Sequence, residues 1–259
     1  MKKLLIGGML LALLLPCHAM AQSAFDGTWK IDINKVQASN KPEVITLKDG
    51  EYSCNCTPPI HVKADGMDHA VTGHPTMDTV SVKIVDDHTI TETGKKNGKV
   101  VYTDTTKVAD DGKTATFEST NERDDNSATV KGTLTRVGKA AAGSHAVAGS
   151  WHASSFQSAS DNMLSYTYKV AGNDVSMSNP RGESYKARLD GKPVPYTGDP
   201  GTDKIAVKMV GKSMQETTSL AGKVTSVATM TVSADGKSMT TVITNKPSNR
   251  KITLVAMKQ

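Results

Sequence analysis

FDGTWK at residues 25–30 comes back, altered but recognisable, as VAGSWH at 147–152. The echo continues downstream of each copy. Asp65-Gly66 followed by VTGHPTMDTVSVKIV (71–85) returns as Asp190-Gly191 followed by YTGDPGTDKIAVKMV (196–210). Asn97-Gly98-Lys99-Val100 matches Ala221-Gly222-Lys223-Val224, and Asp111-Gly112-Lys113-Thr114 matches Asp235-Gly236-Lys237-Ser238. The pairs keep their order and nearly the same offset, so the chain carries a duplicated unit of roughly 110–120 residues. The joint is GKAAAGSHAVA (138–148), small and flexible as a linker should be. The sequence therefore divides into a first unit at 22–137, a linker at 138–148 and a second unit at 149–259.

Each unit reads as strands and tight turns. Thr79–Val85, Lys99–Val108, Ser127–Val137, Ser226–Ser233 and Lys251–Met257 are rich in β-branched residues with partial period-two alternation. Asp49-Gly50, Asp65-Gly66, Asn97-Gly98, Asp111-Gly112, Asp190-Gly191 and Asp235-Gly236 punctuate them. Such dipeptides accept the positive φ angles of two-residue hairpins. No apolar stripe at helical spacing runs longer than two turns. The expected class is all-β: two tandem antiparallel meanders, each closed into a barrel to dispose of its edges.

The Gly-x-Trp that opens each unit, Gly27/Trp29 and Gly149/Trp151, resembles the first motif of the calycin superfamily, the lipocalins and their fatty-acid-binding relatives. The resemblance implies a lipocalin-like barrel whose tryptophan plugs the closed end, crossed by a basic residue from the last strand. Arg136 is that residue in the first unit and Lys258 in the second, a cation–π contact of about 0.5–2 kcal/mol. The chain also looks like a group of exported bacterial proteins with tandem Gly-x-Trp units and no assigned activity. It departs from true lipocalins in lacking their other motifs and in the shortness of each unit for eight strands plus loops. The repeated Thr-Gly-x-Pro stretches, Gly73, Pro75 and Asp78 in the first unit and Gly198, Pro200 and Asp203 in the second, read as turn chemistry. There the aspartate is expected to accept backbone N–H groups of its own turn.

Residues 1–21 place Lys2 and Lys3 before an apolar run from Leu4 to Pro16 and end on Ala19-Met20-Ala21. This predicts a secretory signal peptide cleaved before Gln22. The run is short for a membrane span, and no later stretch approaches the roughly 20 apolar residues a transmembrane helix needs. The expected address is the periplasm or the medium, an oxidising compartment. Without the leader the formal charge falls from +5 to about +3, too small and too dispersed for a nucleic-acid footprint. Aromatic residues make up only 4% of the chain, so stacking platforms for bases or sugars are not expected.

Candidate chemistry concentrates in EYSCNCTPPIHVKADGMDH (51–69). Cys54 and Cys56 lie two residues apart. In an extended strand that spacing is about 6.6 Å, too far for a disulfide unless the backbone turns. The following Thr57-Pro58-Pro59 supplies a reason to turn. A disulfide is one reading. A soft zinc or copper site built from Cys54, Cys56, His61 and His69 is another, and thiol-redox chemistry a third. No Gly-x-Ser-x-Gly elbow, phosphate loop or His-Glu-x-x-His is present, and nothing points to an enzyme. The reading is an exported soluble binding protein for a small apolar or amphipathic ligand of the cell envelope. A metal or thiol-redox factor and a structural envelope interaction protein stand as rivals.

Overall fold

The computed structural model describes residues 23–122 and 126–259; the leader expected at 1–21 lies outside the described residues. The first half of the chain forms β1 (Gly27–Ile31), β2 (Glu43–Lys48), β3 (Glu51–Cys54), β4 (Ile60–Lys63) and β5 (His69–Ala70). It continues with β6 (Thr79–Asp86), β7 (Thr89–Lys96), β8 (Lys99–Val108), β9 (Thr114–Asn121) and β10 (Ala128–Gly138). The second half repeats the series: β11 (Gly149–Ala159), β12 (Ser165–Ala171), β13 (Asp174–Ser178), β14 (Ser184–Arg188) and β15 (Asp190–Pro195). β16 (Lys204–Val210), β17 (Ser213–Leu220), β18 (Lys223–Val232), β19 (Ser238–Asn245) and β20 (Lys251–Lys258) complete it. Among the described residues the helical pieces are a 3-10 turn at Ile33–Lys35 and one α-helical turn at Asp161–Leu164.

The strands make two nearly closed, antiparallel, barrel-like sheets of ten strands each. One runs β4-β3-β2-β11-β10-β9-β8-β7-β6-β5, the other β14-β13-β12-β1-β20-β19-β18-β17-β16-β15. Ten strands fit in so short a unit because many span only four to six residues. Single bridges draw the free ends together, Asp65 with Lys83 in the first barrel and Ser184 with Thr197 in the second.

The barrels are out of phase with the sequence repeat. The first barrel is chain-continuous from Glu43 to Ala159 and takes its Gly-x-Trp strand, β11, from the second repeat. The second barrel is closed by β1, the Gly-x-Trp strand of the first repeat, inserted between β12 and β20 with Trp29 opposite both Tyr166 and Lys258. The tryptophans and cations therefore pair crosswise: Arg136 lies 4.0 Å from the Trp151 ring and Lys258 lies 5.3 Å from the Trp29 ring. This differs from the expectation that each cation covers the indole of its own unit. The linker expected at 138–148 runs between β10 and β11, within the first barrel. The chain crosses between barrels instead at 32–42 and 160–164.

Alternation sets the interior. Val80 and Val82 point inward from β6, and Ile90, Val108 and Ala115 join them around Leu47, Tyr52 and Trp151. Ile205, Val207, Met214, Met230 and Met239 surround Trp29 and Tyr168 in the second barrel. Of the Gly-containing pairs, Asp49-Gly50 and Asn97-Gly98 are two-residue hairpin turns with both φ angles positive. Asp65-Gly66 and Asp190-Gly191 instead sit beside the bridge to Lys83 and at the start of β15, and Asp111-Gly112 and Asp235-Gly236 lie in longer loops. Asp78 and Asp203 do not serve their own turns. Each accepts a backbone N–H at 2.9 Å from a hairpin further on, Asn97 between β7 and β8 and Ala221 between β17 and β18, so they tie two connections together.

Because β1 closes the far barrel, Trp29→Ala should cost about 3–5 kcal/mol in the second barrel. Hydrogen exchange checks this: lost protection should map to Ser165–Ala171 and Lys251–Lys258, while Glu51–Cys54 and Thr79–Asp86 stay near wild type.

Candidate functional site

Strand register superposes the barrels residue on residue. Trp151 faces Glu43 where Trp29 faces Tyr166, and Gly149 faces Ile45 where Gly27 faces Tyr168. Both glycines take φ values closed to other residues, +134° at Gly149 and +122° at Gly27. A Cβ at Gly27 would stand 2.8 Å from Lys258 Cε, and one at Gly149 would overlap Arg136 Nη1. The glycine is there so that the cation can cross the chain. Each indole Nε1–H donates to a carbonyl four residues earlier, Trp29 to Phe25 at 2.9 Å and Trp151 to Val147 at 2.8 Å. Arg136 also donates to the carbonyls of Gly112, Ala146 and Ala148. The two glycines, the two tryptophans, Arg136 and Lys258 hold the fold and line neither the acidic cavity of the first barrel nor the cleft of the second.

Away from the plug the barrels diverge. In the first, β2, β7 and β8 turn Glu43, Glu92 and Asp104 inward around a cavity of about 260 Å³. Tyr102, His74, Cys56, Ile60, Ile90 and Thr106 also line it, and among the described residues no lysine or arginine does. Tyr102 donates its hydroxyl to Glu92, its ring lying over Gly94, where any Cβ would collide with it. Tyr52 stands beside the same carboxylate, and its pKa, like that of Tyr102, is driven up by burial and by Glu92. Burial raises Glu43, against the pull of Arg250, and pushes Asp104 up to about 6. Desolvation lowers His74. Asp104 Oδ1 and His74 Nε2 are buried without a hydrogen-bond partner among the described residues.

The second barrel puts mostly neutral side chains at that level, three of four replacements being bulkier. By register, Tyr166 stands in place of Glu43, Tyr185 in place of Ile60, Met177 in place of Cys54 and Ala228 in place of Asp104. The glutamate is kept: Glu216 matches Glu92 and accepts the hydroxyls of Tyr168, at 3.3 Å, and Tyr185. This barrel opens at its other end. Val175 replaces Tyr52, Val170 replaces Leu47 and Ala187 replaces Val62, leaving a cleft of about 740 Å³ completed by Val194. Lys169, Lys186 and Arg188 edge it, with Asp26 and Asp174. Arg188 is engaged by Asp174 at 3.7 Å and by Asp190 at 4.0 Å.

Cys54 and Cys56 are joined by a disulfide across a Cα–Cα distance of 5.2 Å. Cys54 faces the core, and Cys56 lies on the cavity wall. The histidines proposed as co-ligands are elsewhere. His61 pairs with Ser53 on the outer face, 3.8 Å from Glu51, and His69 lies on β5 at the other end of the sheet, bound to Asp65 at 2.8 Å. That contact holds Asp65 below the usual carboxylate range. Among the described residues no group of three or more His, Cys, Asp or Glu side chains is placed to hold a metal ion. No helix among them is long and apolar enough to cross a membrane.

Sequence reasoning missed Glu43, Glu92 and Asp104. They sit on three strands, and each alone reads as an ordinary outward polar residue. Two signals pointed to them: Glu92 shares parity with Ile90, and Glu43 and Asp104 are not repeated in the second copy. Compared with protein-family models, with curated proteins and with solved structures, the chain matches none.

The raised Asp104 has a sign that can be measured. Its folded pKa of about 6 exceeds its ordinary value of 3.8, so its contribution to stability is present below pH 4 and is lost as pH rises through 6. Asp104→Asn should therefore equal wild type near pH 4 and exceed it by about 2 kcal/mol at pH 7.5, read from urea unfolding at both pH values.

Proposed function

We propose that this protein is an exported binding protein that holds a small amphipathic molecule in the cell envelope. The observation that carries the reading is the cleft at the Phe25 end of the second barrel. Its volume of about 740 Å³ falls within the roughly 300–1,000 Å³ of small-molecule sites. Val170, Val175, Ala187 and Val194 give it a hydrocarbon wall, and Lys169 and Lys186 stand at its edge. That combination suits an acyl chain or ring system with an anionic end. The calycin resemblance agrees with it, although a fold by itself assigns no ligand.

The first barrel suggests why the cleft stays open. There the matching end is covered by residues 139–148, with His145 donating its backbone N–H to Leu47 and Ala140 and Ala146 packed on the core. In the second barrel the equivalent cover would come from residues before Phe25. Cleavage before Gln22, as the leader predicts, leaves only three residues there.

The test is titration of the chain beginning at Gln22 with an anthroyloxy-labelled 16-carbon fatty acid, followed by fluorescence. Saturable binding is expected, weakened at least tenfold by Val175→Tyr, which installs the residue the first barrel carries, and several-fold by Lys186→Glu. No saturable binding, or binding indifferent to Val175→Tyr, would sink the reading.

A further inference from the structure

We infer that the interior cavity of the first barrel is a second ligand site, one that takes a small organic ammonium ion. The inference is independent of the cleft in the second barrel. One fold occurs twice in the chain, and at the same level one copy holds tyrosine and methionine where the other has a cavity of about 260 Å³. The cavity is therefore not a requirement of the barrel.

Its chemistry is also additional. The shared glutamate is already served by tyrosine hydroxyls in both copies. Glu43 and Asp104 have no acidic counterpart in the second barrel, and although Ser119 hydrogen-bonds the Asp104 carboxyl, none of the described residues donates to its buried Oδ1. An uncompensated carboxylate oxygen on a cavity wall is costly unless something donates to it. Arg250, the described cation that acts on Glu43, donates to Pro42 O, at 3.1 Å, and Asn55 Oδ1, at 3.4 Å. A metal ion does not suit the arrangement, since these groups are not gathered for coordination. A primary ammonium does. Its N–H groups would have the carboxyls of Asp104 and Glu43 as acceptors on the wall of the same cavity, and Ile60, Met77 and Ile90 offer an apolar wall to a short alkyl or aryl tail.

Butylammonium, butanol and butyrate serve as probes of equal size, followed by amide shift perturbation in the full mature chain. Butylammonium should shift Ile90–Gly94 and Tyr102–Thr106 saturably, and butanol and butyrate should bind at least tenfold more weakly. Asp104→Asn should lower ammonium affinity at least tenfold, and Glu43→Gln, as an independent variant, by a similar factor. The titratable groups that share the cavity with Asp104 are Glu43, His74, Glu92 and Tyr102; Ser119 hydrogen-bonds its carboxyl, and Arg250 acts on Glu43. Since an ammonium favours the ionised carboxylate, wild-type affinity should rise from pH 5 to pH 7.5. Equal binding of butanol, shifts unchanged in both variants, or saturation by calcium or zinc at the same residues would each overturn the inference.

Discussion

An indole clasped between a cation and a carbonyl is the interaction on which both barrels close. Burying a tryptophan removes roughly 150–250 Å² from water, worth about 4–6 kcal/mol, before the cation–π contact is added. The clasp makes three demands on the sequence: a glycine at a φ no other residue accepts, a tryptophan two residues on, and a cation arriving from the last strand. Both copies meet all three, with Arg136 forking across extra carbonyls in one barrel and Lys258 alone in the other. Because the parts are interchangeable, the first strand of each repeat closes the opposite barrel. The first and last strands of the chain then meet in β1 and β20, and the loss of either opens the second barrel.

The exchange also fixes how the barrels face each other. Arg250, in the last loop of the second barrel, reaches Asn55 and Pro42 of the first. In mirror fashion Arg181 reaches Asn121, at 2.7 Å, and Pro180 O accepts from Asn126, at 2.9 Å. The acidic cavity is lined by Cys56 and Thr57, next in the chain to Asn55 of this junction, whereas Asp26, Ala171 and Asp174 line the apolar cleft of the other barrel. Duplication thus freed each copy to hollow a different end of the same frame, and the second barrel shows which residues of the first the fold does not need.

Local chemistry was legible, and long-range choice was not. The strands at Thr79–Asp86, Lys99–Val108 and Lys251–Lys258 follow from β-branched alternation, and Asn97-Gly98 announces its hairpin through φ alone. Crosswise closure leaves no local mark, because Trp29 and Trp151 look the same whichever barrel receives them. Asp78 and Asp203 misled for a related reason: the donors they serve are distant in sequence. The cysteines were readable as a pair, whereas the separation of His61 and His69 from them depends on strand parity and sheet order that spacing alone does not set.

The most direct test of crosswise closure is covalent. Thr28 and Thr167 face each other across β1 and β12 with hydroxyls 2.9 Å apart, whereas closure of each repeat upon itself would set Thr28 against Val44. Cysteines placed at Thr28 and Thr167 should join on mild oxidation within a single chain, seen by mass spectrometry of the monomer, while cysteines at Thr28 and Val44 should remain free. A bridge in the second pair and none in the first would contradict the account.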